Sequence, residues 1–597
     1  MLLLAGGGAA RAQVIQLTDD PLIQGDLPIA TTAGGNFSVN VDVGAQRFYN
    51  AGFTGNGVIQ TVVDAGTIWN GHESLQHNTV QIIGTNATGE YDAHATWVAS
   101  MMGGRSTFSP STLNGIAPNA TLWSGAIASG WSGFAYSVSF NTDEQTVYSV
   151  YHTALISGVG GHTTDVINTS WDYTGAAASA GFTEVTIGLD GLIEQSLHVS
   201  VASAGNDGPG NNTVAGLAAG YNSISVGALG SATSSPPYST VANFSSRSPN
   251  NVVQATTPTS GNELVGARVR VDLVAPGTDL GLALYDGQTG GNAPGLFFSP
   301  AFGTPALDPH AVLSDLSGTS FAAPAVSGGA TLVVNAGKVL YGANANAVDP
   351  RVIKAVLMNS ADKIPGWTNN SFLDGNGTLT TFQGLDYNSG AGAMNLNHAF
   401  DQYVDLAHGG MAGTTDVPGM SHGSQGNVST IGWDFGQVAF GTDNVYFMNS
   451  TVLGGLNLTA TLNWFVDRDP GTSGNFSDAG EQRFADLDLY IFTYVSPSDH
   501  TILSDVAVSG SQYNNTEEVT FNVSSTAFYG IRVSYFGDNW NFIDAHTVDY
   551  GLAWSADLVP EPGLSAIGMA LGAGLCVWLF RRKNVALGSL PRYKLSP

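Results

Sequence analysis

From residue 40 to about 400 the chain repeats one pattern. A short apolar run rich in Val and Ile ends in a Gly or Asn turn, and a stretch of helical periodicity follows. The runs are "GVIQTVVDAG" (57–66), "DVINTSW" (165–171), "LHVSVASAGN" (197–206), "NSISVGALG" (222–230) and "VRVDLVAPG" (269–277). Nearly continuous apolar strands are covered on both faces, and helical segments between them point to a mostly parallel sheet with flanking helices. Helices are expected at 94–102, 183–196, 320–337 and 350–361, the last opened by Pro350, where a helix accepts proline. The predicted fold class of this region is α/β.

The pattern changes after residue 404. Residues 405–426 are rich in Gly, Ser and Thr, have no apolar period, and read as a linker. Over 427–557, "VYFMNSTV", "LTATLNWFV", "LDLYIFTYV", "EEVTFNVS" and "YGIRVSYFG" alternate apolar with polar or small residues. That alternation, broken by turn residues, predicts an antiparallel β-sandwich domain.

The two ends read as targeting. "MLLLAGGGAARAQ" has a short apolar stretch followed by Ala10-Arg11-Ala12, so residues 1–12 are expected to be a signal peptide remnant. Near the other end, 17 uncharged residues from Leu564 to Phe580 precede Arg581, Arg582 and Lys583. Their length is at the lower limit for a membrane-spanning segment, and the basic cluster predicts that this end stays cytoplasmic. The single cysteine, Cys576, lies in this run, so the residues upstream carry no disulfide, thiolate metal site or cysteine nucleophile.

Composition narrows the function. Of 597 residues, 43% are hydrophobic and 11% charged, and acidic residues outnumber basic ones 46 to 18 for a formal charge of −28. Nucleic-acid binding needs a Lys/Arg surface and is not expected.

The apolar runs place four polar residues at strand ends or helix starts, where open parallel sheets bind ligands. Asp64 ends a strand, His94 opens a helix, Asn206 ends a strand and Ser320 opens the small-residue stretch "SGTSFAAPAVSGG". Singly, each has an ordinary role, Ser320 as an N-cap and Asn206 as a turn residue. Together they form a hydrolytic set: Ser320 as nucleophile, His94 as its base and Asp64 holding the imidazole tautomer. The Asn206 amide and the Ser320 N–H would be the oxyanion donors.

The words around these residues carry a resemblance. "VVDAG", "HATWVAS" and "GTSFAAPAVSG", with "VINTSW", "ASAGNDG", "ISVGA", "VANFSS", "DLVAPG" and "IKAVLMNSA" in the same order, resemble the subtilases, the subtilisin-like serine peptidases of family S8, over roughly 40–404. The resemblance implies catalytic Asp64, His94 and Ser320, an oxyanion hole at Asn206, and a substrate-binding strand at Ser170, Trp171 and Asp172. Ala65 stands where the family usually has Ser or Thr, and Ala95 where it usually has Gly. The stretch 278–316 is long for the family and is expected to overhang the cleft. The segment between Ala12 and Asp64 is short for the inhibitory prodomain that many subtilases carry.

The order Pro-Glu-Pro, apolar span 564–580 and basic cluster, over 559–583, resembles a PEP-CTERM sorting signal. It implies an exosortase partner and a cell-surface or secreted destination, with the membrane engaged at least transiently. In the C-terminal domain, Asp467, Asp469, Asp478, Asp486 and Asp488 make an oxygen-rich stretch. The expectation there is solvated acidic loops, with structural calcium near Asp467, Asp469, Asp486 and Asp488 as the alternative. No cofactor is expected to be required for the chemistry. The overall expectation is an exported serine endopeptidase acting on proteins or peptides. Its rival is a catalytically inactive surface-binding or matrix protein on the same scaffold.

Overall fold

A computed structural model of the chain describes residues 39–106, 113–134, 137–173, 175–230, 236–292, 307–342, 344–404 and 426–556. It also places four short strands at Leu2–Leu3, Val14–Gln16, Ile29–Thr32 and Gly35–Ser38. The expected signal remnant at 1–12, nearly all of the expected linker and the expected span at 564–580 lie outside the residues whose side chains are described. Among the described residues no helix is long and apolar enough to cross a membrane.

The apolar runs become the centre of an eight-stranded sheet among the described residues. Its strands are β1 (Ile59–Asp64), β2 (Asn78–Ile83), β3 (Thr121–Ala126), β4 (Val166–Thr169), β5 (Val199–Ser203), β6 (Ile224–Gly230), β7 (Thr240–Val241) and β8 (Leu273–Pro276). The spatial order is β7-β6-β5-β4-β1-β3-β2, with β8 also on β6, and the β6–β7 pair alone is antiparallel. β4 and β5 are buried at every position, as two-sided packing requires.

The helices α1 (Ala93–Gly103), α2 (Glu184–Ser196), α3 (Thr319–Leu340) and α4 (Pro350–Asn359) fall close to the expected bounds. α3 crosses the sheet against β4, β5, β6 and β8. Its Gly and Ala residues permit that approach: a Cβ on Gly328 would lie 2.5 Å from Ile116 Cβ and one on Gly329 3.0 Å from Met394 Sδ.

The C-terminal region forms two further sheets that share a hydrophobic core including Leu462, Trp464, Leu489, Ile531 and Leu552. One is built on β9 (Ile431–Ala439), β10 (Asn457–Trp464) and β13 (Thr547–Ala556), the other on β11 (Gly480–Ser496) and β12 (Phe528–Asn541). These sheets pack directly on the α/β region. α4 lies against β13 and β10, so closely that a Cβ on Gly551 would come within 2.3 Å of the Arg351 backbone. Trp433 and Ala553 belong to the same buried cluster as α3.

The expected solvated acidic loops are only partly present, because charges from this stretch seal the contact. Arg468 is buried, binds Asp190 of α2 at 2.9 Å and pairs with buried Glu481. Its guanidinium also lies 4.6 Å from the centre of the Tyr221 ring. Asp467 meets Arg483 at 2.6 Å because strand pairing sets them opposite one another. Asp478 stays exposed and accepts the N–H groups of Thr472 and Ser473.

Candidate active site

Asp64, His94, Asn206 and Ser320 converge on one cleft that is open to solvent. Asp64 is the last residue of β1 and 2% exposed. One of its oxygens accepts the Ala65 N–H at 2.8 Å, and the other accepts His94 Nδ1 at 2.8 Å. The Ser-or-Thr-to-Ala difference at position 65 therefore removes a hydroxyl but leaves the backbone donor in place.

His94 sits in the first turn of α1, capped by Asp92, whose side chain accepts the Ala95 N–H at 3.2 Å. Phe321 and Trp97 flank the imidazole, with ring centres 5.9 and 6.3 Å away. Nδ1 is committed to Asp64, whereas Nε2 is buried with no hydrogen-bond partner among the described residues. Burial opposes charging the ring, but Asp64, and then Asp92, hold its pKa above the usual imidazole value. Asp92 is itself pushed up to about 6 by burial and by the Asp64 charge.

Ser320 is in the first turn of α3, where its N–H has no intrahelical acceptor. Pro324, four residues on, has no N–H to give the Ser320 carbonyl. Ser170 Oγ donates to that carbonyl instead, at 2.9 Å, and Asn168 Nδ2 in turn donates to Ser170 Oγ at 2.9 Å. The Ser320 hydroxyl donates to the Ser170 carbonyl oxygen at 3.3 Å. Asn206 presents its carbonyl oxygen to the Thr319 N–H at 2.9 Å and the Thr319 hydroxyl at 3.0 Å. Its Nδ2 is left as the donor available to the cleft.

The segment after β4 also lines the cleft, with Ser170, Trp171 and Asp172 all on its wall. Sequence reasoning missed several neighbours. Trp131 and Phe140 face each other across a hairpin of strands Gly130–Phe134 and Ser137–Asn141 and both line the cleft. Part of the long 278–316 stretch, which was expected over the cleft, reaches its wall as well. The Gly291 N–H donates to Asp92 at 3.1 Å, the Gly290 N–H donates to Glu90 at 2.9 Å, and Gly291 and Asn292 reach the wall.

The structure does not gather Asp467, Asp469, Asp486 and Asp488 into one ligand set. Asp467 is held by Arg483, and Asp469 accepts the Gly471 N–H at 2.9 Å. Asp486 and Asp488 lie further along β11, where burial and then the Asp488 and Asp538 charges push Asp486 up to about 7. Among the described residues, one group of three carboxylate or imidazole ligand atoms lies within 4.8 Å: Asp64, Asp92 and His94. Those atoms already serve one another and the Ala65, Ala95 and Gly291 amides.

A curated relative, Subtilisin-like protease SBT1.5 of Arabidopsis thaliana, is 32% identical over 147 residues, which is 23% of this chain and 16% of the relative's length. Among solved structures, the chain is similar to a mutant of the protease domain of PatA, with TM-score 0.39, 20% identity, and coverage of 58% of this chain and 96% of that one. It is also similar to the Prenylagaramide maturation protease PagA, with TM-score 0.40, 19% identity, and coverage of 60% and 98%. The sequence model of the Subtilase family (Peptidase S8) matches residues 55–392, more than half of the chain. The chain belongs to the subtilase family of serine peptidases.

Proposed function

We propose that the chain is an exported serine endopeptidase that cleaves proteins or peptides through an acyl-enzyme on Ser320. The observation that carries this is His94, buried, tied to Asp64 through Nδ1 at 2.8 Å and carrying a free Nε2 in the cleft it shares with Ser320. Rotation of the Ser320 hydroxyl away from Ser170 would bring its proton to Nε2. Asp64 would stabilise the resulting imidazolium, and His94 would return the proton to the leaving amine. The negative charge on the substrate oxygen would meet Asn206 Nδ2 and the Ser320 N–H at the start of α3, where the helix dipole also favours it.

The chemistry runs on these side chains without a cofactor. Calcium, where bound, would serve the fold, and thermal unfolding with and without chelator reads that contribution. Export, membrane engagement through 564–580 and recognition by an exosortase rest on the sequence pattern of the two ends, and cell fractionation tests them.

Digestion of an unfolded protein such as casein tests the enzymatic proposal. The full chain should cleave it, and Ser320→Ala should reduce the rate by about 10⁴-fold or more. Equal cleavage by the two proteins would overturn it.

A further inference from the structure

We infer, building on Ser320 as the nucleophile, that Asn292 and Trp131 form a subsite for a neutral amide group of the substrate. Asn292 Oδ1 accepts the amide N–H there, and Trp131 Nε1 donates to its carbonyl oxygen.

Position is the first ground. Both residues line the cleft that holds Asp64, His94 and Ser320. The turn Gly290–Asn292 packs against both strands of the hairpin that carries Trp131. Asp92 marks where they meet. It accepts the Gly291 N–H at 3.1 Å. A Cβ on Gly66, two residues after Asp64, would lie 2.6 Å from Asp92 Cβ and 3.4 Å from Trp131 Cζ2. The pair thus stands beside the Asp64–His94 couple, on the wall of the cleft that leads to Ser320.

The second ground is two unused hydrogen-bonding atoms. Asn292 is 1% exposed, and its Nδ2 donates to the Tyr285 carbonyl oxygen at 2.6 Å. Its Oδ1 is buried with no partner among the described residues, so the free end of this side chain is an acceptor alone. Trp131 Nε1 is likewise buried and unpartnered among the described residues, and an indole N–H is a donor alone. Such atoms cost stability until a ligand satisfies them. The turn around Asn292 is otherwise well bonded. The Tyr285 and Thr289 hydroxyls meet at 2.7 Å, and Thr289 Oγ1 donates to the Tyr91 carbonyl oxygen at 3.0 Å. The acceptor is therefore held in place before substrate arrives.

The third ground is chemical fit. One acceptor and one donor suit a group that carries both, as an amide does. A carboxylate would face the Asn292 oxygen and the Asp92 charge, and an ammonium has no lone pair for the indole N–H.

The test uses the full chain and a peptide it cleaves, altered at one position at a time. One series carries glutamine against methionine, similar in length but apolar. The other replaces each backbone amide except the scissile one by an ester, which lacks the N–H. Rates are normalised to the sites titrated by a fluorophosphonate. At one position the amide-bearing peptide should exceed its counterpart by about tenfold in kcat/KM. The series in which that ratio appears tells whether the amide comes from a side chain or from the backbone. Asn292→Ala should bring the ratio close to one, and Trp131→Phe, which keeps a ring and loses the N–H, should lower the same ratio. Should Asn292→Ala fail to fold, Trp131→Phe decides. A ratio near one at every position, or a ratio unchanged in either folded variant, would overturn the subsite while leaving the nucleophile intact. No titratable site would overturn both.

Discussion

The hydroxyl of Ser320 donates to the carbonyl oxygen of Ser170 over 3.3 Å, and Ser170 Oγ donates back to the Ser320 carbonyl over 2.9 Å. This reciprocal pair holds the proposed nucleophile against the strand that would receive the substrate. A substrate amide that takes the Ser170 carbonyl would release the hydroxyl toward His94. Methylating the substrate amide nitrogen nearest the scissile carbonyl removes that competing donor. The expected result is a fall of about tenfold in kcat/KM against the unmethylated peptide.

Thr319 uses both its N–H and its hydroxyl to fix Asn206. Asn206→Ala should therefore lower kcat by about 10²–10³ with little change in KM, since its amide acts on charge that appears in the transition state. Thr319→Val, which keeps the N–H and loses the hydroxyl, should give a smaller fall in the same parameter. Steady-state kinetics on one peptide substrate reads both.

The base must be neutral to accept a proton. Burial disfavours the charged ring, yet the charges of Asp64 and Asp92 hold His94 above its ordinary value of 6.5. Activity should accordingly be lost as pH falls through a value higher than 6.5, a limb that belongs to the coupled carboxylate–imidazole group. Asp92→Asn removes one of the charges that favour the imidazolium. The acid limb of kcat/KM should then move to lower pH, which a pH–rate profile of the two proteins measures.

Arg468 reaches from the C-terminal region to Asp190 of α2, and all three of Arg468, Asp190 and Glu481 are buried. Arg468→Ala leaves two carboxylates without their cation. A loss of about 3–5 kcal/mol is expected, read from the urea midpoint of the full chain. Arg468→Lys should recover part of it, because the charge returns without the planar fork.

The site residues legible in the sequence are those fixed by local structure. Asp64 and Asn206 end apolar runs, and His94 and Ser320 open helices, positions that pointed to one crevice at the strand ends. Asp92 was not legible as a neighbour of His94, because a residue two positions ahead of a helical histidine reads simply as a cap. Trp131 and Phe140 arrive from a hairpin of mixed composition, and only its folding across the cleft brings them to Asp172. The C-terminal sheets were legible from their alternation, but their union with the α/β region was not. Arg468 stands among Asp, Pro and Gly, a composition that marks exposed loops, and its burial depends on Asp190 and Tyr221, more than 240 residues away in sequence.

The most direct test of the central claim is covalent labelling of the full chain with a fluorophosphonate, read by intact mass. An activated Ser320 predicts one adduct per chain, absent in Ser320→Ala and nearly absent in His94→Ala. No adduct on a folded wild-type chain, or an adduct that survives in Ser320→Ala, would contradict it.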